Sequence, residues 1–321
     1  MKAAISVSKP VKQKKRFFPT KELIIQDFKK NYFAYLLIIP VILWYIIFCY
    51  GPMWGVLIAF KDFKPLIGFA GSEWVGLKHF QDFITGPYFF RTIKNTLMLN
   101  VWGLTCGFTA PIILALLLNE VKNMKFKKLV QTITYMPHFI SLIVICGLIH
   151  IFTQSNGILT QFVNMITGTE HSSLLGYQEM FRPIYTFSGI WQNVGWDSII
   201  YLSAMSAIDP GLYEAAEIDG AGRLRKMWHI TLPQIRPTII ILFIFAVGGL
   251  MGSSHEKIIL LYNSLTYETS DVIASYVYRR GLQEASYSFA TAVGLISSCL
   301  NFLLLWITNK VAKKCSDISI F

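Results

Sequence analysis

The sequence predicts an all-α membrane protein with six transmembrane helices. Hydrophobic residues make up 54% of the 321 residues, charged residues only 15%, and the mean hydropathy is +0.49. A soluble protein of this length would carry more charge. The apolar residues form long runs, each of which approaches or exceeds the roughly 20 residues that cross a bilayer. Lysine and arginine gather between alternate runs, which indicates a fixed orientation in the membrane.

The first apolar run begins near Tyr32 and continues to about Phe60. It is much longer than the core of a signal peptide, so we interpret it as an uncleaved first span. A basic tail at 1–31 precedes it, the membrane domain is expected over 32–310, and a second tail follows at 311–321. The predicted spans lie near 33–55, 93–119, 129–152, 183–206, 236–257 and 287–309.

The positions of the basic residues predict which side faces the cytoplasm. Of the 29 Lys and Arg residues, 20 lie at 1–31, in the 120–128 connection, in the 207–236 loop and at 310–321. The positive-inside rule therefore places both termini and that loop in the cytoplasm of a multi-pass protein of the bacterial cell membrane. The net charge of +11 flanks apolar segments instead of forming one patch. Anionic lipid headgroups are the expected counterpart, and nucleic acid is not.

The cysteine pattern predicts neither disulfides nor a metal site. Four of the five cysteines lie in apolar segments and no CxxC pair occurs, so they are interpreted as buried thiols. The sequence also lacks the Gly-x-x-x-x-Gly-Lys loop that cradles phosphates. This chain is therefore not expected to bind ATP by that route, nor any other cofactor.

The polar segment at 214–233 interrupts the apolar runs with an ordered pattern. Asp209-Pro210 before it is a good helix start, because a carboxylate caps free amides and proline suits the first turn. Gly220 is suited to the left-handed conformation that ends a helix. A second short helix is expected from Leu224 to His229, limited by Pro233. The fixed positions of the pattern are Glu214, Ala215, Ala216, Gly220, Ile230, Leu232 and Pro233.

This pattern closely resembles the EAA loop of permease subunits of binding-protein-dependent ABC importers. In that family the loop docks on a cytoplasmic ATPase, so the resemblance implies the type I importer permease fold with a coupling loop at 207–236. It implies an ATPase-coupling role for the seven fixed positions. For Glu214 alone, the alternative is a solvated charge on a helix surface. Arg223, Arg225 and Lys226 are better explained as topology and lipid charges.

The resemblance extends over about 30–310 and is greatest to carbohydrate-uptake permeases of maltose type. Within these, Tyr50-Gly51-Pro52-Met53, Trp74-Val75-Gly76-Leu77-Lys78 and Leu260-Leu261-Tyr262-Asn263 are typical of the branch for complex or polysaccharide-derived sugars. Many relatives have a Gly-Gly-Pro-rich turn after Leu261. This chain has Asn263-Ser264-Leu265-Thr266-Tyr267 instead, a departure that favours the complex-sugar branch.

The resemblance also implies partners. An extracytoplasmic binding protein delivers the sugar, two ATPase domains bind ATP and magnesium and drive transport, and a second, similar permease completes the path. These systems are commonly heterodimeric, and the long basic tail resembles the first of the paired subunits. The sequence does not name the sugar. Oligosaccharides from pectin, rhamnogalacturonan or alginate are plausible by analogy with the branch.

The fourth predicted span is the most polar and supplies the candidates for the substrate path. Asn193 and Asp197 share a helical face, with Gln192 and Trp196 beside them. Sugars need hydrogen-bonding groups for their hydroxyls and an aromatic surface for their C–H faces, and an acidic residue within a span is costly unless it faces water or a partner. The alternative is structural: Asn193 and Asp197 cement helix packing.

Two other function classes compete with the importer permease. An ion-coupled secondary carrier would require charged residues deep in several spans, and apart from Asp197 these are sparse. A membrane-embedded enzyme would require a cluster of His, Asp and Glu, whereas the six histidines are dispersed without HExxH-like spacing. Neither class explains the segment at 214–233.

Overall fold

The computed structural model describes residues 21–252 and 255–316, which are mostly helical. The chain divides into two compact units, 1–56 and 57–321. The α-helices are α1 (Lys21–Lys30), α2 (Tyr32–Trp44), α3 (Gly68–Gly71), α4 (Lys78–Ile84), α5 (Phe89–Trp102), α6 (Phe108–Glu120), α7 (Met124–Tyr135), α8 (Leu142–Thr153), α9 (Ile158–Thr167), α10 (Gln178–Ser206), α11 (Pro210–Ile218), α12 (Arg223–Lys226), α13 (Leu232–Gly248), α14 (His255–Leu261), α15 (Tyr267–Ser270), α16 (Ile273–Tyr278) and α17 (Tyr287–Ser316).

Shorter helical turns extend or join several of these helices. The wide π turns are Tyr45–Tyr50, Gly103–Gly107, Met227–Thr231 and Arg279–Gln283, and the tight 3-10 turns are Gly51–Phe60, Met136–Phe139 and Leu174–Gly176. One small antiparallel sheet joins β1 (Lys61–Asp62) to β2 (Glu73–Trp74), with Lys61 opposite Trp74. This two-residue pairing is a minor departure from the predicted all-α fold.

The first unit carries the start of the first apolar helix. The Asp27 carboxylate accepts hydrogen bonds from Asn31 Nδ2 at 2.7 Å and from Tyr35 OH at 2.5 Å, and so ties α1 to α2. No residue of α2 is buried, although its sequence is almost entirely apolar. An apolar helix without a core to pack in requires an apolar surrounding, which lipid supplies.

The predicted spans near 33–55, 93–119, 183–206 and 287–309 coincide with helical segments, whereas the helix of the span predicted near 236–257 already ends at Gly248. Among the described residues, four helices are long and apolar enough to cross a membrane, and a bent pair at 124–153 makes up to five. The four are Tyr32–Phe60, Phe89–Glu120, Arg223–Gly248 and Tyr287–Lys314. The predicted span at 183–206 lies in α10, whose 29 residues reach about 43 Å, enough to cross a bilayer. Its sequence is more polar than that of the other four.

The predicted third span, 129–152, is not one straight helix. Met124–Phe139 and Leu142–Thr153 meet at an angle of 101°. Pro137 lies in the tight turn that ends the first helix, and Ser141 begins the second by accepting a hydrogen bond from the Val144 amide at 3.4 Å. Proline interrupts the hydrogen bonding of a helix, and serine is a common first residue of the next one. Together they explain the break between the two helices. The sequence did not predict the break, because Pro137 and Ser141 lie within a mostly apolar run.

The core of the second unit lies where the helices converge. One apolar cluster joins α5, α8, α10 and α14, and includes Ile145, Phe181 and Ile258. A second cluster beside the 207–236 loop joins α6, α10 and α13, and includes Tyr201 and Ile235. Both clusters pack against α10, which makes this helix the central scaffold of the unit.

A buried ion pair fixes the segment between α14 and α17. The Asp271 side chain is fully buried and pairs with Arg91 at 3.0 Å and Arg279 at 2.7 Å. The Asn95 side chain donates to the Asp271 carbonyl at 3.1 Å and accepts from Arg182 at 2.8 Å. A buried carboxylate is tolerated only when it is paired and hydrogen-bonded, and here α5 and the π turn after α16 supply the cations.

Candidate functional site

The first helix of the 207–236 loop begins where the sequence predicts. Asp209 accepts a hydrogen bond from the Gly211 amide at 2.9 Å, and Pro210 occupies the first turn of α11. Pro210 lacks an amide hydrogen at a position where no acceptor would be available, so its presence costs nothing. The carboxylate and the proline together set the start of α11.

Gly220 ends α11 in the left-handed conformation, as predicted, with φ of +75°. The Gly220 amide donates to the Glu217 carbonyl at 3.1 Å, and the Ala221 amide donates to the Ala216 carbonyl at 2.8 Å. This pair of bonds is the Schellman closure of a helix end. A Cβ built on Gly220 would meet nothing within 4 Å. Backbone conformation, and not lack of space, therefore explains the preference for glycine here.

The second half of the loop differs from the prediction. The expected short helix from 224 to 229, limited by Pro233, is instead the start of one helix that runs from Arg223 to Gly248. The π turn Met227–Thr231 precedes Pro233, which lies in the first turn of α13. A proline ring normally clashes with the carbonyl four residues earlier in a helix. The wider π turn moves that carbonyl away from Pro233, so the helix continues without a break.

Two contacts between the halves of the loop fix their relative positions. Tyr213 OH lies 3.0 Å from Thr231 Oγ1, and Thr231 is fully buried. Lys226 Nζ lies 3.3 Å from Glu217 Oε2. Sequence reasoning missed the structural role of these four residues. Their spacing is too irregular to signal contact before the Gly220 turn is known.

The fixed positions of the motif divide between the surface and the interior of the loop. Glu214, Ala215, Gly220 and Pro233 are exposed, whereas Ala216, Ile230 and Leu232 are half-buried. Large apolar side chains are exposed beside them: Ile218 at 87%, Leu224 at 71% and Trp228 at 66%. Short helices that present small and apolar residues provide a surface suited to close docking of another protein.

Three of the four substrate-path candidates line one cavity of about 300 Å³. Gln192, Asn193 and Asp197 contribute from α10, and Lys257 of α14 contributes from the facing side. Gly103, Gly107 and Gly189 leave part of the lining as bare backbone. The cavity therefore combines hydrogen-bonding groups with open space. Sequence reasoning missed the participation of Lys257, Tyr185 and Thr186.

The fourth candidate, Trp196, does not line this cavity. Its ring stacks on His138 with centroids 4.5 Å apart and planes within 2°. His138 Nδ1 also lies 3.0 Å from Asn193 Oδ1. Trp196 and Asn193 thus hold α10 against the tight turn at 136–139, which agrees with the packing alternative for Asn193. Asp197 is exposed and lies on the cavity side.

Gly195 brings α10 and α7 into direct backbone contact. A Cβ at this position would lie 2.2 Å from the Thr134 carbonyl oxygen, so only glycine fits. This close approach places His138 within reach of Asn193 and Trp196. Small residues that allow two membrane helices to approach closely are typical of their interfaces.

The family model described as "Binding-protein-dependent transport system inner membrane component" matches residues 107–317. The chain belongs to this family. The assignment covers both the 207–236 loop and the cavity-lining part of α10. It confirms the predicted resemblance to permease subunits and the predicted helical permease fold.

Two relatives from Bacillus subtilis (strain 168) match this permease over nearly its whole length. Protein LplB is 44% identical over 91% of this chain and 92% of its own. The polygalacturonan/rhamnogalacturonan transport system permease protein YteP is 43% identical over 94% of each chain. A chain from the crystal structure of a bacterial ABC transporter involved in the import of the acidic polysaccharide alginate superimposes with a TM-score of 0.83. It is 40% identical and covers 92% of this permease and 99% of its own length.

These matches establish the class of the protein. It is a permease of the sugar ABC importer type, a multi-pass inner-membrane component that works with a binding protein. It is a transport subunit and not an enzyme. The similarity of this chain to the polygalacturonan/rhamnogalacturonan permease and to the alginate transporter confirms the predicted branch of permeases for polysaccharide-derived sugars.

Proposed function

We propose that this permease is one of two different membrane subunits that together move an oligosaccharide into the cell. The observation that carries the proposal is the 207–236 loop. Its first helix is closed by Gly220, its apolar side chains are exposed, and its second helix continues without a break into the membrane segment ending at Gly248. Such a loop is suited to receive the movement of a docked ATPase and pass it to the membrane helices.

The remaining partners follow from this role. Two ATPase domains are expected to bind ATP and magnesium, so that this chain binds neither. Glu214, Ala215, Ala216, Gly220, Ile230, Leu232 and Pro233 would form the docking surface. Gln192, Asn193 and Asp197 would contact the sugar, while Trp196 would position Asn193 through His138. A separate binding protein would deliver the sugar on the outer side.

Reconstitution tests the proposal against the ion-coupled carrier. The permease, a second permease from the same system and the ATPase are purified together and placed in vesicles with the binding protein outside. Uptake of a labelled oligosaccharide is expected only when ATP is available to the ATPase. Sugar uptake by this chain alone, driven by a proton or sodium gradient, would support the carrier instead.

Labelling of single cysteines tests the orientation. In a variant whose five native cysteines are replaced by serine, Gly222→Cys is expected to be protected from an impermeant thiol reagent in intact cells. Glu170→Cys is expected to be labelled. Both positions are exposed in the structure, so reagent access depends only on the side of the membrane. The reverse pattern would contradict both the orientation and the docking role of the loop.

A further inference from the structure

Lys257 is a buried cation in the wall of the 300 Å³ cavity. Its side chain is only 5% exposed. Nζ donates to the Tyr185 carbonyl at 3.1 Å and lies 4.9 Å from the centre of the Tyr185 ring. No carboxylate of the described residues lies within the 4.0 Å ion-pair distance of it. An ammonium group has three donors, and burial without an anion is costly.

Thr186 provides a buried polar group without a partner among the described residues in the same wall. Its side chain is 5% exposed, and Oγ1 has no hydrogen-bond partner among the described residues. Many other helical threonines of this chain donate to the carbonyl four residues earlier, as Thr92 and Thr153 do. A buried hydroxyl without a partner costs about 1–3 kcal/mol, so a missing partner needs an explanation.

The surroundings of Lys257 leave room for a ligand. A Cβ built on Gly189 would lie 3.4 Å from Lys257 Nζ, so the glycine keeps the space beside the ammonium free. Asp197 also lines the cavity but is eight positions from Gly189 on the same helix, which is about 12 Å along the helix axis. The single carboxylate in the lining thus does not neutralise Lys257. The end of the cavity beside Tyr185 is cationic.

We infer that Lys257 and Thr186 bind the carboxylate of an acidic sugar residue as the oligosaccharide passes through the cavity. This inference rests on the proposed transport function and names its substrate class as uronate-containing oligosaccharides. The ammonium donates to one carboxylate oxygen and the threonine hydroxyl donates to the same group. Asp197, Gln192 and Asn193, farther along α10, are left to contact hydroxyls. Neutral oligosaccharides would leave Lys257 unpaired.

The test compares Lys257→Met and Thr186→Val with the unchanged permease in the reconstituted complex. The substrates are labelled trigalacturonate and a partly methyl-esterified form that the binding protein binds equally well. Lys61→Met is the matched control, because Lys61 also donates to a backbone carbonyl, at 2.8 Å, and lies over an aromatic ring, at 4.2 Å, but is outside the cavity. Ser297→Ala is the control for Thr186, since Ser297 Oγ is also buried without a partner.

Lys257→Met is expected to reduce uptake of the acid relative to the ester about 10- to 100-fold, the range for a hydrogen bond to a charged group. Lys257→Arg is expected to retain most of the preference for the acid over the ester. The two controls, Lys61→Met and Ser297→Ala, are expected to retain all of it. The same binding protein serves every variant, so its own preference cancels in the ratio. An unchanged ratio in Lys257→Met, or equal loss of both substrates with an intact complex, would overturn the inference.

Two further results distinguish a failure of this inference from a failure of the proposed transport function. If the unchanged complex imports neutral oligosaccharides but no uronate, the inference fails and the proposed function stands. If import needs no ATPase, the proposed function fails. Repeating the comparison in phosphatidylcholine vesicles without anionic lipid is expected to leave the ratio unchanged. An effect that requires anionic lipid would mean that the site binds a headgroup, and would also overturn the inference.

Discussion

Gly195→Ala is expected to prevent the second unit from folding. The added methyl group would lie 2.2 Å from the Thr134 carbonyl oxygen and 2.8 Å from the Tyr135 ring. The carbonyl belongs to the backbone of α7, so relief requires the helices to separate and not merely a side chain to rotate. The measurement is the yield of monodisperse protein in detergent, together with its unfolding temperature. Yield should fall to a small fraction of that of the unchanged protein.

Gly147→Ala is the matched control for this change. Gly147 lies within α8, and a Cβ there would meet nothing within 4 Å. Alanine in a helix interior is favoured over glycine by about 1 kcal/mol, so this variant should be at least as stable as the unchanged protein. Equal yields of Gly195→Ala and Gly147→Ala would contradict the close approach of α7 and α10.

Gly220→Val is expected to abolish ATP-driven uptake while leaving membrane insertion normal. The φ of +75° at this position disfavours a β-branched side chain, at a cost of about 1–2 kcal/mol or more. Because the space around Gly220 is open, the only effect is on the turn. The Schellman closure is lost, α11 changes direction, and its exposed residues no longer meet the ATPase. Uptake and recovery of the ATPase with the permease should both fall at least tenfold.

Two substitutions isolate the turn as the cause. Gly220→Asn should retain most activity, because asparagine tolerates the left-handed conformation. Gly222→Ser should be neutral, because Gly222 has φ of −68° and ψ of 167°, which serine adopts readily at the start of a helix. If Gly220→Val kept full uptake and full ATPase recovery, the 207–236 segment would not act as a coupling loop.

The features that could be predicted from the sequence are governed by local physics. Asp209, Pro210 and Gly220 act through their own backbone conformation and hydrogen bonds with near neighbours, so their roles are readable from residue type and spacing. The membrane spans could be predicted from the apolar runs for the same reason, because the bilayer requires each segment by itself to be long and apolar enough to cross it. The 101° bend at 139–142 could not be read, because Pro137 and Ser141 lie within an otherwise apolar run whose composition favours one helix.

The cavity could be predicted only in part. Gln192, Asn193 and Asp197 lie on one helix, so helical periodicity alone groups them. Lys257 is 60 positions from Asp197 in the sequence, and its place opposite α10 depends on tertiary packing. Trp196 is a residue type common in sugar-binding sites, but here its ring stacks on His138. This is possible because Gly195 allows α7 to approach α10 closely. Contacts between helices thus decide which polar residues face the cavity.

The continuous helix from Arg223 to Gly248 would make the proposed docking loop one end of a lever. Its 26 residues span about 39 Å, so a tilt of about 10° at the ATPase would move the far end by about 7 Å if the helix stays rigid. The far end meets another helix directly, because a Cβ on Gly248 would lie 2.6 Å from Leu305 Cδ1. Movement of a docked ATPase would therefore reach α17 through this contact, and the π turn at 227–231 would have to stay rigid for the movement to pass along the helix.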